Sequence, residues 1–66
     1  MDITLNGQPH TLPAELTAAQ LIERLGLTGR RLALEVNEQI VPRSRFDERR
    51  IEAGDRVEIV HAIGGG

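Results

Sequence analysis

The chain opens with Met1, Ile3 and Leu5 alternating with Asp2, Thr4 and Asn6. That period of two buries one face of a strand and leaves the other polar. Asn6-Gly7 follows, a pair whose tolerance of positive φ predicts a type I′ hairpin. The return strand spans roughly Gln8 to Leu12, and Pro9, which has no N–H to donate, assigns it to a sheet edge. Pro13-Ala14-Glu15 ends it. Thr17 then stands three residues before Gln20, the spacing of a capping box. Leu21, Ile22 and Leu25 share one face with Ala18, while Glu23 and Arg24 fall outside it. Gly26 supplies a left-handed cap, so the pattern predicts a helix over Ala18–Leu25. Two turns cannot persist alone in water, and this helix must lie on a sheet.

More sheet follows. Leu32, Leu34 and Val36 alternate with Ala33, Glu35 and Asn37; Asn37-Glu38 makes a turn; Ile40-Val41 is a short apolar piece stopped by Pro42. Residues 43–53 read as charged and irregular, with Phe46 and Ile51 as inward anchors. Gly54-Asp55 turns the chain into a last strand, Arg56–Ala62, with Val57 and Ile59 facing inward. The first and last strands carry the most regular alternation and belong side by side at the centre. The expected fold is an α+β roll of the β-grasp type, a mixed sheet of four to five strands with one helix across it. A ferredoxin-like roll would need a second helix, which residues 43–53 do not show. Residues 1–63 form the domain and 64–66 a glycine tail.

Composition narrows the function. Sixty-six residues, 39% hydrophobic and 27% charged, fit one small folded domain. No apolar run approaches the roughly 20 residues of a membrane span, and the start does not resemble a secretion signal. Cysteine is absent, which excludes a disulfide framework and a thiolate zinc site and fits the cytoplasm. Eight basic residues against ten acidic ones give a net charge of −2, and Phe46 is the only aromatic residue. A nucleic-acid module needs a basic footprint and stacking platforms, so that class is set aside. All the basic residues are arginine. Codon usage in a GC-rich genome accounts for that; a shortage of internal amines able to attack an activated carboxyl group is the secondary reading.

Catalytic constellations are missing. His10 and His61 lie far apart in sequence with no paired nucleophile. Asp47, Glu48 and Glu52 sit among Arg43, Arg45, Arg49 and Arg50, where solvated ion pairs are the expected outcome. Gly64-Gly65-Gly66 opens no helix and lacks the lysine of a phosphate loop. The chain is expected to bind no metal or cofactor and to catalyse nothing alone. What remains is the glycine run itself. A glycine-rich end by itself is equally a frayed or linker-like one. Coming straight off the last strand of a β-grasp pattern, it reads instead as a thin thread without Cβ atoms. Ile63 to Gly66 can reach at most about 13–14 Å, enough to enter a partner's active site while the domain stays outside.

The Asn6-Gly7 hairpin, the segment ALEVNEQIVPRSRF (Ala33–Phe46) and the segment GDRVEIVHAIGGG (Gly54–Gly66) together resemble the thiamine-biosynthesis sulfur carrier (ThiS) family over the whole chain. Phe46 stands where relatives often carry tryptophan, a departure that touches packing and not chemistry. The resemblance implies that an ATP-consuming, ubiquitin-activating-type adenylyltransferase makes an acyl-adenylate on Gly66. A cysteine-desulfurase relay then supplies sulfur, leaving a thiocarboxylate that donates to thiazole synthase. Gly64 and Gly65 would give the tail access, and any persulfide must reside on a partner. The terminal Gly-Gly is shared with ubiquitin-like modifiers and the molybdopterin-synthase small subunit. A carrier for another pathway, a protein modifier and an interaction domain with an inert tail therefore stay open. Val60, apolar on the outward parity of the last strand, and Ile63 beside the tail are the candidate docking residues.

Overall fold

Asn6 (φ +51°) and Gly7 (φ +81°) both take the left-handed region, as a type I′ turn requires, and join β1 (Asp2–Leu5) to β2 (Gln8–Thr11). The computed structural model describes residues 1–61. After β2 come a short β3 (Leu16–Thr17), the helix α1 (Ala18–Arg24), β4 (Leu32–Val36) and β5 (Gln39–Val41). A 3-10 turn (Arg43–Arg45), a short β6 (Arg50–Ile51) and β7 (Arg56–His61) complete the order. The main sheet runs β2-β1-β7-β4-β5, with β1 and β7 parallel and the other pairs antiparallel. This is the β-grasp arrangement, with the first and last strands adjacent as expected.

The crossover departs from expectation. Residues 43–53 are not wholly irregular: Arg50–Ile51 pairs antiparallel with Leu16–Thr17 in a second, two-stranded sheet. Two-residue strands have no period to read, and this pair forms only because the crossover passes the helix start. The same passage satisfies the helix. The Ala18 and Ala19 amides donate to the carbonyls of Arg49 and Phe46 at 2.7 and 2.9 Å. The expected capping box closes the rest, with Gln20 N–H donating to Thr17 Oγ1 and Thr17 N–H to Gln20 Oε1. At the other end Gly26 (φ +74°) forms a Schellman motif, its N–H bonding Glu23 O while Leu27 N–H bonds Ile22 O. Leu25 caps the helix instead of extending it.

The core lies between α1 and the sheet. Leu21, Leu34, Val36, Ile51 and Val57 are fully buried, and Phe46 is half-buried against them. Asp55 is the one buried charged residue among those described. Its Oδ2 accepts from Glu52 N–H at 2.8 Å and its Oδ1 from Asn37 Nδ2 at 3.1 Å. Asn37 in turn exchanges two bonds with the Arg56 backbone, its Oδ1 accepting from Arg56 N–H and its own N–H donating to Arg56 O. The turn that launches β7 is thereby tied to the β4–β5 hairpin. No buried side-chain polar atom among the described residues lacks a partner.

Leu34→Ala should destabilise the domain by about 2–5 kcal/mol. A domain of this length has on the order of 3–10 kcal/mol in all, so thermal or denaturant melts should show much of the chain unfolded. Glu38 sits at φ +69° in the β4–β5 turn, and its side chain makes only an exposed contact with Arg56. Glu38→Gly removes the Cβ strain of the left-handed conformation and should stabilise by about 0.5–1 kcal/mol in the same melts.

Candidate functional site

β7 carries the chain toward its glycine tail, and the fold holds that strand from both sides. β1 pairs with it through Thr4↔Arg56 and Leu5↔Val57, then turns away at Asn6. The Asn6 side chain continues the contact, its Oδ1 accepting from Ile59 N–H at 2.8 Å. On the other side β4 runs along β7 from Val36↔Val57 to Leu32↔His61. Every backbone group of a buried strand needs a partner, and on the β4 side the pairing persists to His61, the last described residue. Gly66, the expected site of covalent modification, lies outside the described residues, as do Gly64, Gly65 and Ile63.

Val57 and Ile59 face the core, whereas Val60 points outward and is 59% exposed, opposite Ala33 of β4. The outward parity predicted for Val60 is thus what the fold adopts. Ile40, 72% exposed on β5, stands opposite Glu35 on the same outward face. Sequence reading passed over it, although its position directly before the inward Val41 carried the signal. Glu35 also lies directly across from Glu58 of β7. A shallow depression of 370 Å³ opens where β7 ends, lined by Arg31, Leu32, Ala33, Arg43, Val60 and His61. The Arg43 guanidinium donates to Arg30 O at 3.0 Å and rests 5.9 Å from the centre of the Phe46 ring, and both of these residues line a separate hollow beside Ile22 and Leu27 on the helix side.

The remaining candidate groups are not brought together. His10 pairs with Ile3 beside the start of β7, while His61 ends that strand. In the crossover, the Arg45–Glu48 pair at 3.1 Å is exposed, as is the 3.7 Å pair that Arg50 makes with Glu15. Both are solvated pairs of the expected kind. Among the described residues no group of three or more His, Cys, Asp or Glu could hold a metal ion, and no helix is long and apolar enough to cross a membrane.

Known proteins share this construction. The crystal structure of a thiamine biosynthesis protein (ThiS) from Geobacter metallireducens superposes with a TM-score of 0.88 at 30% identity, over the full length of both chains. The sulfur carrier protein ThiS of Escherichia coli is 33% identical over 66 residues, again the whole of both. A thiazole synthase of Paramagnetospirillum magneticum is 38% identical over 66 residues, and the chain spans 20% of its length. The ThiS family matches residues 3–66, which takes in the central strand pair, the outward face beside β7 and the glycine tail; the chain belongs to that family.

Proposed function

We propose that this protein is a sulfur carrier in thiamine biosynthesis, serving the thiazole moiety, with Gly66 as the residue that holds the sulfur. The observation that carries the reading is the full-length match to a protein named for that role, in a chain whose glycine run, Gly64–Gly66, begins three residues after the last residue of β7. A carboxylate is a poor electrophile. An oxygen of the Gly66 carboxylate attacks the α-phosphorus of ATP on a ubiquitin-activating-type adenylyltransferase and expels pyrophosphate. A persulfide held by a cysteine-desulfurase relay then attacks the adenylate carbonyl and expels AMP. Cleavage of the remaining S–S bond by a second thiol leaves the thiocarboxylate on Gly66 and a disulfide on the relay. This chain holds no cysteine, so both thiols belong to partners.

Thiazole synthase is the acceptor in this reading. Support comes from the Paramagnetospirillum magneticum protein of that name, which carries within one polypeptide a segment 38% identical to the entire chain. The carrier itself acts as a cytoplasmic co-substrate and performs no catalysis. Gly64 and Gly65 thread the partner's channel because they lack a Cβ and accept positive φ. Val60 and Ile63 bear on the partner's surface at the channel mouth.

Intact-mass analysis of the protein from sulfur-replete cells should show an oxygen-to-sulfur exchange at Gly66. A ladder of lysine-linked adducts would point instead to a modifier. Gly65→Val, and separately one residue added after Gly66, should melt like the parent yet fail to acquire sulfur. Misplacement near 1 Å costs on the order of a hundredfold in rate. ATP–pyrophosphate exchange and mass spectrometry measure the loss; charging of both tails at the parental rate overturns the reading. Val60→Glu should likewise fold normally but be adenylated more slowly, since it places an unpaired charge on the docking face.

A further inference from the structure

The end of the fold from which β7 leaves is cationic, yet it offers no amine. Leu32 lies opposite His61, the last described residue of β7, and Arg31 directly precedes Leu32. Arg31 and Arg43 line the shallow depression there together with His61. Residues 62–66 reach at most about 17–18 Å, so a side chain at position 31 stands within range of the Gly66 carbonyl. A guanidinium is not deprotonated in proteins, and neither arginine therefore presents a nitrogen lone pair. None of the 66 residues is a lysine or a cysteine.

The primary amine in the structure is that of Met1, and the fold withholds it in two ways. It is part-buried and donates to Leu12 O at 2.7 Å, while Leu12 N–H donates back to Met1 O at 2.8 Å. It also lies at the opposite end of the sheet. Thr4 pairs with Arg56 in the parallel β1–β7 ladder. Met1 stands three residues before Thr4, and His61 five residues beyond Arg56. At roughly 3.3 Å per residue, the amine and the end of β7 are about 26 Å apart along the strands. The tail falls short of that distance. Codon usage sets how many lysines a chain contains, but it does not decide where the remaining amine lies.

We propose that the domain withholds nitrogen nucleophiles from its own activated terminus, and that arginine in place of lysine at position 31 is a specificity determinant of the carrier. The proposal rests on the carrier reading above and deepens it by naming what favours sulfur over nitrogen at Gly66. The reaction avoided is aminolysis. An amine lone pair attacks the Gly66 carbonyl and a C–N bond forms. The bond to the leaving group breaks, AMP or a thiol departs with the electron pair, and the amine's proton passes to solvent. The resulting amide is stable and removes the carrier from use. His61 beside the depression is a nucleophile of another kind: its product, an acyl-imidazole, remains an activated acyl group that a thiol can take over. Arg31 keeps positive charge at the end of β7 without the nucleophile that a lysine would bring.

The test uses the full chain bearing a C-terminal thioester, made by thiolysis of an intein fusion and followed by intact-mass spectrometry at mildly alkaline pH. Methioninamide, whose amine matches that of Met1, should convert the parent thioester to the Gly66 amide. With no added amine, the parent at the same molar concentration should only hydrolyse. Arg31→Lys should instead lose its thiol to form an internal amide of monomer mass, at a rate independent of protein concentration. A short tail presents Gly66 to that lysine at an effective concentration on the order of millimolar, and the thioester should disappear about tenfold faster than in the parent. Arg31 is exposed and joins none of the ion pairs among the described residues, so the variant should melt like the parent. Self-condensation of the parent at the methioninamide rate, no internal amide in Arg31→Lys, or no reaction with methioninamide would each overturn the proposal and leave the carrier reading in place. Failure of the parent, as the free acid, to support ATP–pyrophosphate exchange with the adenylyltransferase of the same organism would remove both.

Discussion

The parallel pairing of β1 with β7 is the constraint on which the rest of this fold depends. It joins the start of the chain to the strand that leads to its end, through Thr4 N–H to Asp55 O at 2.9 Å and Asn6 N–H to Val57 O at 2.8 Å. Such a pairing rewards the chain only after a long loop has closed. Everything between must therefore be arranged to keep it closed. The helix covers the buried side of the pair, and Val57, paired with Leu5, is wholly excluded from solvent. Asp55 fixes the turn from which β7 starts, and Asn6 extends the hold past the point where β1 ends. The placement of β7 follows from the same bonds that close the core.

The two faces of the sheet meet different demands. The inner face is filled by Leu34, Val36, Val57 and Ile59 against the helix, and its residues are chosen by burial. The outer face places two carboxylates in cross-strand register and leaves Ile40 and Val60 in water. Neither choice helps the isolated domain.

Much of this was legible in the chain before its structure. Alternation at Ile3–Leu5, Leu34–Val36 and Val57–Ile59 marked the strands because side chains on a pleated backbone must alternate. Asn6-Gly7, the Thr17–Gln20 spacing and Gly26 marked turns and helix ends because each meets a local backbone requirement. The glycine run at residues 64–66, read as a tail by the same kind of local argument, lies outside the described residues. Tertiary structure alone decided the rest. The two-residue strands at Leu16–Thr17 and Arg50–Ile51 exist only through each other, and the first helical amides find their acceptors in a distant crossover. The buried role of Asp55, the Glu35–Glu58 register and the cationic rim at the strand exit join residues remote in sequence. Periodicity and turn chemistry act over a few residues, whereas register and charge juxtaposition are set only when strands meet in space.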